Sequence, residues 1–83
     1  LCDDESTDDT PSLAAKLARE HPGRIIYRRL RRSGSAGARN AGIVIARGEF
    51  ILPLDADDLI RPDLLSRMVD ALVANPEAGY AYC

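Results

Sequence analysis

The stretch GEFILPLDADDLIRPD, residues 48–63, decides how this chain folds. Its apolar run, Phe50-Ile51-Leu52-Pro53-Leu54, stops at three carboxylates, Asp55, Asp57 and Asp58. A run that does not alternate suits a central strand of a parallel sheet, covered on both faces. Residues 49–54 are therefore predicted as a strand, with Pro53 removing one ladder donor and ending the pairing on one side. One acid would suffice to start the following helix. Three acids within four residues repel one another unless a cation offsets their charge. Mg²⁺ and Mn²⁺ are hard ions, commonly held by one or two carboxylates plus the phosphates of a substrate. The D-x-D spacing suits that arrangement, with one acid at the metal and the other turned to a neighbouring group of the ligand. A solvated loop beside a helix start is the simpler alternative.

Working outward, the run is flanked by helices. Arg61-Pro62 opens a helix whose stripe is Leu65, Met68, Val69, Leu72 and Val73, and Asn75-Pro76 closes it. On the other side, residues 38–47 form a helix stopped by Gly48, with a face of small residues, Ala38, Ala41 and Gly42, followed by Ile45. Small residues let a helix lie close to a sheet. The loop Ser33-Gly34-Ser35-Ala36-Gly37 precedes that helix. Residues 24–30, built around Ile25, Ile26 and Tyr27, read as a strand. Asp8-Asp9-Thr10-Pro11 is a helix start, with Thr10 as cap and Pro11 at the first helical position. Ala14, Leu17 and Ala18 share its inner face, and His21-Pro22-Gly23 ends it. Tyr80-Ala81-Tyr82-Cys83 reads as a further strand beginning, and Leu1-Cys2 as the tail of an earlier one. Strands alternating with helical crossovers predict a parallel, doubly wound α/β sheet. Ligands of such sheets gather at the carboxyl ends of the strands. The acids Asp3 and Asp4, like those at 55–58, are expected there, on a common rim.

Composition agrees. The 83 residues are 46% hydrophobic and 29% charged, with net charge −2, which describes a globular chain without bulk attraction to nucleic acid. Five of the 13 acids fall within residues 3–9, and six of the 11 bases within residues 24–39. Cys2 and Cys83 have neither disulfide-framework nor metal-ligand spacing and read as reduced thiols of a cytoplasmic protein. No apolar run approaches the ~20 residues that span a bilayer. The basic stretch Arg24, Arg28, Arg29, Arg31 and Arg32 has only Tyr27 interleaved, which argues against a nucleic-acid interface and for a solvated edge or for steering of an anionic ligand.

Among metal motifs, an EF-hand loop from Asp55 would need Gly and Glu where Ile60 and Ser66 stand. A phosphohydrolase of the haloacid dehalogenase type, with Asp55 as nucleophile, would need Thr or Val at Leu59 and the motif on the first strand. The third competitor is a nucleotide-sugar site, which the rest of the chain favours, with the phosphohydrolase kept as the alternative. Asp3-Asp4-Glu5-Ser6-Thr7-Asp8-Asp9-Thr10 resembles the D-D-G-S-T-D-x-T segment of family 2 glycosyltransferases of the GT-A fold. Ala38-Arg39-Asn40-Ala41-Gly42-Ile43 resembles their A-R-N-x-G helix start, and GEFILPLDADDLIRPDLL their D-x-D strand and following helix. The three occur in the family's order.

This resemblance implies a Rossmann-like GT-A nucleotide-binding half over residues 1–83, incomplete at both ends, with a first strand expected before Leu1 and an acceptor half after Cys83. It implies metal-dependent binding of a nucleotide-diphospho-sugar, a UDP-sugar, for transfer to a sugar, lipid or protein acceptor. Asp4 would accept a hydrogen bond from the base, with Asp3 beside it. Asp57 would hold Mn²⁺ or Mg²⁺, flanked by Asp55 and Asp58. Arg39 would lie on the pyrophosphate side, and Arg29 would also approach the nucleotide. A helix start near residues 36–40 would add N–H donors and partial positive charge. No residue matches the family's catalytic base, so these residues alone are not expected to transfer sugar. The parent protein could sit at the cytoplasmic face of a membrane, and open sheet edges would favour self-association. Glu5 stands where the family usually has Gly, a conflict if that position requires positive φ. A non-catalytic α/β fragment with purely superficial acids is the third alternative.

Overall fold

The computed structural model describes all residues, 1–83. The elements run β1 (Cys2–Asp4), α1 (Thr10–Glu20), β2 (Arg28–Leu30), α2 (Gly34–Ile45) and α3 (Leu64–Ala74). They fall into two units, Leu1–Ile51 and Leu52–Cys83. In the first, β1 and β2 form a parallel two-stranded sheet with Cys2 opposite Arg28, Asp3 opposite Arg29 and Asp4 opposite Leu30. Arg28 N–H to the Leu1 carbonyl (2.9 Å) and the Leu1 amino group to the Ile26 carbonyl (2.7 Å) extend the pairing. Parallel neighbours need a crossover, and α1 supplies it. The α/β class and the parallel strand order are those the sequence predicts.

Helix α1 begins at Thr10, which is its first residue rather than its cap. The cap position is Asp9, and it is Asp8 Oδ1 that accepts the Thr10 N–H, at 3.0 Å. Ala14 is buried, and Leu17 and Ala18 are half-buried, so the expected inner face is in place. His21 N–H closes the helix on the Leu17 carbonyl (3.0 Å). Strand β2 is shorter than predicted. The N–H groups of Arg24 and Ile25 both turn back to the His21 carbonyl, at 3.1 and 3.0 Å, so those residues close a turn instead of joining the ladder.

Helix α2 also departs from its predicted span. It starts four residues early, at Gly34, because a carboxylate from β1 supplies acceptors for its first N–H groups, as described below. It ends at Ile45 because Ala46 is extended (φ −64°, ψ 144°). Its half-buried residues include Ala38, Ala41, Gly42 and Ile45, the small face read from the sequence, and it packs on β1. A Cβ at Gly42 would stand 3.6 Å from Cys2 Sγ, which shows how closely helix and strand approach.

Residues 49–54 are not a strand, contrary to the sequence prediction, and Phe50, Ile51, Leu52 and Leu54 are exposed. A strand exists only through its partner's ladder, and no segment of the chain pairs with this one; Pro53 lacks an N–H besides. Residues 80–83 are irregular for the same want of a partner, with the Tyr80 and Tyr82 rings 6.3 Å apart.

In the second unit, α3 begins two residues past Pro62. The Asp63 carboxylate is engaged by Arg61 Nε (3.1 Å) and by Arg67 (3.6 Å), and makes no side-chain cap. Leu64, Met68, Val69 and Leu72 are half-buried, whereas Leu65 and Val73, predicted in the stripe, are exposed. No helix is long and apolar enough to cross a membrane.

Candidate functional site

The two sequence-predicted acidic groups follow apolar residues, one at the end of strand β1 and the other in a turn, and they differ in how their carboxylates are held. The first lies where β1 ends. Successive residues of a strand face opposite ways, so Asp3 and Asp4 diverge. Asp3 turns inward and is 5% exposed. Its Oδ1 accepts the Ser6 N–H (2.9 Å), its Oδ2 accepts the Tyr27 hydroxyl (2.9 Å), and Arg29 Nε stands 3.8 Å from Oδ2. The Arg29 guanidinium also donates to the Ser6 carbonyl (3.1 Å). Arg29 thus reaches the turn after β1, from the ladder position opposite Asp3.

Asp4 turns to the start of α2. Its Oδ1 accepts both the backbone N–H (2.6 Å) and the hydroxyl (2.9 Å) of Ser33, and its Oδ2 accepts the Gly34 N–H (2.8 Å). Gly34 has φ +72°, a conformation glycine adopts without strain. Two of the orphan donors that open any helix are satisfied this way. The expectation that a helix start near 36–40 offers its donors to a ligand is corrected accordingly: the helix opens at Gly34, and its first donors already face a carboxylate of the chain itself.

Between Asp4 and Ser6, Glu5 has φ +64°. A glutamate therefore sits in the left-handed region, which costs a non-glycine residue roughly 1–2 kcal/mol.

Electrostatics follow the donors. Hydrogen bonds from the Ser6 hydroxyl and N–H hold Asp3 below the ordinary 3.8, with the Tyr27 hydroxyl and the Arg29 charge adding to them against the effect of burial. The Ser33 N–H and hydroxyl do the same for Asp4, helped by Gly34 and Arg32. Burial and the bond to Asp3 push the Tyr27 phenol above its ordinary 10.0.

The second group is the turn 55–58. Asp58 N–H bonds the Asp55 carbonyl (3.1 Å), and Asp58 Oδ2 accepts the Asp55 N–H at 3.4 Å. Asp55, Asp57 and Asp58 are all exposed. No three His, Cys, Asp or Glu side chains are gathered so as to hold a metal ion by themselves. The donors present are hard carboxylate oxygens, which suit Mg²⁺ or Mn²⁺ shared with phosphate oxygens rather than an all-protein cage. Arg39 is exposed on α2.

Sequence reading singles out Asp3, Asp4 and Arg29 but not Ser6, Tyr27, Ser33 and Gly34, the groups that hydrogen-bond to them. Gly34 within Ser-Gly-Ser was the available signal for a special backbone position. Nothing in the pattern marks Tyr27 as Asp3's partner.

A sequence model of the family described as "Glycosyl transferase family 2" matches residues 1–83. The succinoglycan biosynthesis protein ExoO of Rhizobium meliloti is 48% identical over 70 residues, which are 84% of this chain and 20% of that protein. Chondroitin synthase of Escherichia coli is 34% identical over 84% of the chain and 10% of its own length. A beta-monoglucosyldiacylglycerol synthase of Nostoc is 37% identical over 83% of the chain and 15% of its own length. The chain thus spans a fifth or less of each of these relatives. No solved structure matches it significantly.

Proposed function

The chain belongs to glycosyl transferase family 2, and on that premise we propose that it binds the nucleotide-sugar donor, a UDP-sugar, of an enzyme that transfers the sugar to an acceptor. The observation that carries this reading is the state of Asp4. Three donors fix its carboxylate and keep it ionised at the end of a parallel strand. A carboxylate has about four acceptor positions, so one remains open. An ionised carboxylate only accepts, and it therefore favours a base whose ring nitrogen at the pairing edge carries a proton. Uracil has N3–H there, whereas cytosine sets an unprotonated, repelling N3 against the carboxylate and donates only through its exocyclic amino group.

The 55–58 turn supports the diphosphate end of this reading. Asp57 would hold Mn²⁺ or Mg²⁺ jointly with phosphate oxygens, and Asp55 and Asp58 would flank it. When bound, a divalent ion supplies stabilisation of the negative charge that develops on the leaving nucleoside diphosphate. Arg39, which the resemblance puts on the pyrophosphate side, would add fixed positive charge there.

Calorimetric titration of the full-length protein with UDP and CDP tests the assignment of Asp4. UDP is expected to bind at least tenfold more tightly than CDP. Asp4→Ala lowers UDP affinity by about 10–100-fold, the range for a hydrogen bond to a charged group, and abolishes the preference. Equal affinity for both nucleotides in the unaltered protein contradicts the reading. An acyl-phosphate on Asp55 with phosphate release would instead support a phosphohydrolase.

A further inference from the structure

We propose that Tyr27, Asp3 and Arg29 form a clamp that fixes the left-handed turn at Glu5 and so sets the direction of Asp4, making Tyr27 a positioning residue of the site. The inference rests on the donor-site reading only in its consequence for binding; the clamp itself stands on geometry. Glu5 at φ +64° is a conformation that an unrestrained glutamate leaves. The residues on either side of it are tied by different means. Asp4 is held by Ser33 and Gly34. Ser6 is held at both backbone groups, its N–H by Asp3 Oδ1 (2.9 Å) and its carbonyl by the Arg29 guanidinium (3.1 Å).

Asp3 can serve Ser6 only if its carboxylate does not rotate, and Tyr27 prevents that. The phenol donates to the other carboxylate oxygen at 2.9 Å, from a residue 24 positions away that lies just outside the β2 ladder. Arg29 comes from the ladder position facing Asp3, so the strand register delivers both ends of the Arg29–Ser6 contact. Asp3 and Arg29, which the resemblance places beside the nucleotide, thereby also shape the turn that presents Asp4.

The test is amide hydrogen exchange followed by NMR on the full-length protein, unaltered and as Tyr27→Phe, which removes one oxygen and keeps the ring. The clamp predicts that the Ser6 amide exchanges about tenfold faster in the variant, as expected for loss of one hydrogen bond that restrains its acceptor, while the Leu17 and Ala18 amides of α1 keep their protection. Arg29→Met is expected to speed Ser6 exchange in the same sense. An unchanged Ser6 rate in Tyr27→Phe overturns the proposal, and so does an equal acceleration at Ser6, Leu17 and Ala18, which would mean general loosening. UDP affinity is read alongside: a threefold to tenfold loss in Tyr27→Phe is expected. Failure of the unaltered protein to bind UDP would sink the donor-site reading, while the Ser6 rate would still decide the clamp.

Discussion

Glu5 carries the sharpest conflict between residue type and backbone in this chain, since a glutamate occupies φ +64°. Glycine visits that region freely, whereas a Cβ crowds the following carbonyl. Glu5→Gly is therefore predicted to stabilise the fold by about 0.5–1 kcal/mol, part of the relief being returned as unfolded-state entropy. A thermal melt read at equal pH should rise by a few degrees; a fall would mean that the Glu5 side chain itself contributes to stability. At this scale the sequence was partly legible. The Asp3-Asp4 pair and the misfit at Glu5 were visible from residue types and the family resemblance. The partners of those acids were not, because Tyr27, Ser33 and Gly34 meet them only across 24, 29 and 30 positions. Such contacts depend on strand register rather than on local pattern.

The elements show the same division. Two of the three glycines of helix α2, Gly37 and Gly42, have opposite surroundings. A Cβ at Gly42 would meet Cys2 Sγ at 3.6 Å, an ordinary contact, while one at Gly37 would stand 2.7 Å from Ser33 Cβ. Gly42→Ala is thus predicted to stabilise the helix by about 0.5–1 kcal/mol through propensity. Gly37→Ala is predicted to destabilise, because Ser33 must move and its N–H and hydroxyl hold Asp4. Urea denaturation of both variants separates the cases: the two midpoints should shift in opposite directions. The helices were legible because their periodicity and terminators are local. Residues 49–54 and 80–83 were misread as strands because an apolar run records the capacity for pairing but not the presence of a partner. Residues 24–27 were misread because the His21 carbonyl takes the N–H groups of Arg24 and Ile25 before the ladder can begin.

For the whole molecule, titration sets the limits of stability. Asp3, Asp4 and Asp8 ionise more readily in the folded chain than at their ordinary 3.8, so the stability they contribute is complete above that value and is lost as pH falls through their lower folded values. Tyr27 moves the other way: its contribution is complete below 10.0 and is lost as pH rises through its higher folded value. Denaturation midpoints against pH should show a plateau between about pH 4 and 10. Asp4→Asn should flatten the acid limb, and Tyr27→Phe the alkaline one. An acid limb unchanged by Asp4→Asn would mean that the Ser33 and Gly34 donors do not favour the charged form.

In the proposed function Asp4 would select the base and Asp57 would act on the diphosphate through a metal ion. Titration of the full-length protein with UDP, with and without Mn²⁺, for the unaltered, Asp57→Ala and Asp4→Ala forms, separates these two contributions. The account predicts that Mn²⁺ strengthens UDP binding in the unaltered and Asp4→Ala proteins and has no effect in Asp57→Ala. A Mn²⁺ response that survives intact in Asp57→Ala would contradict it.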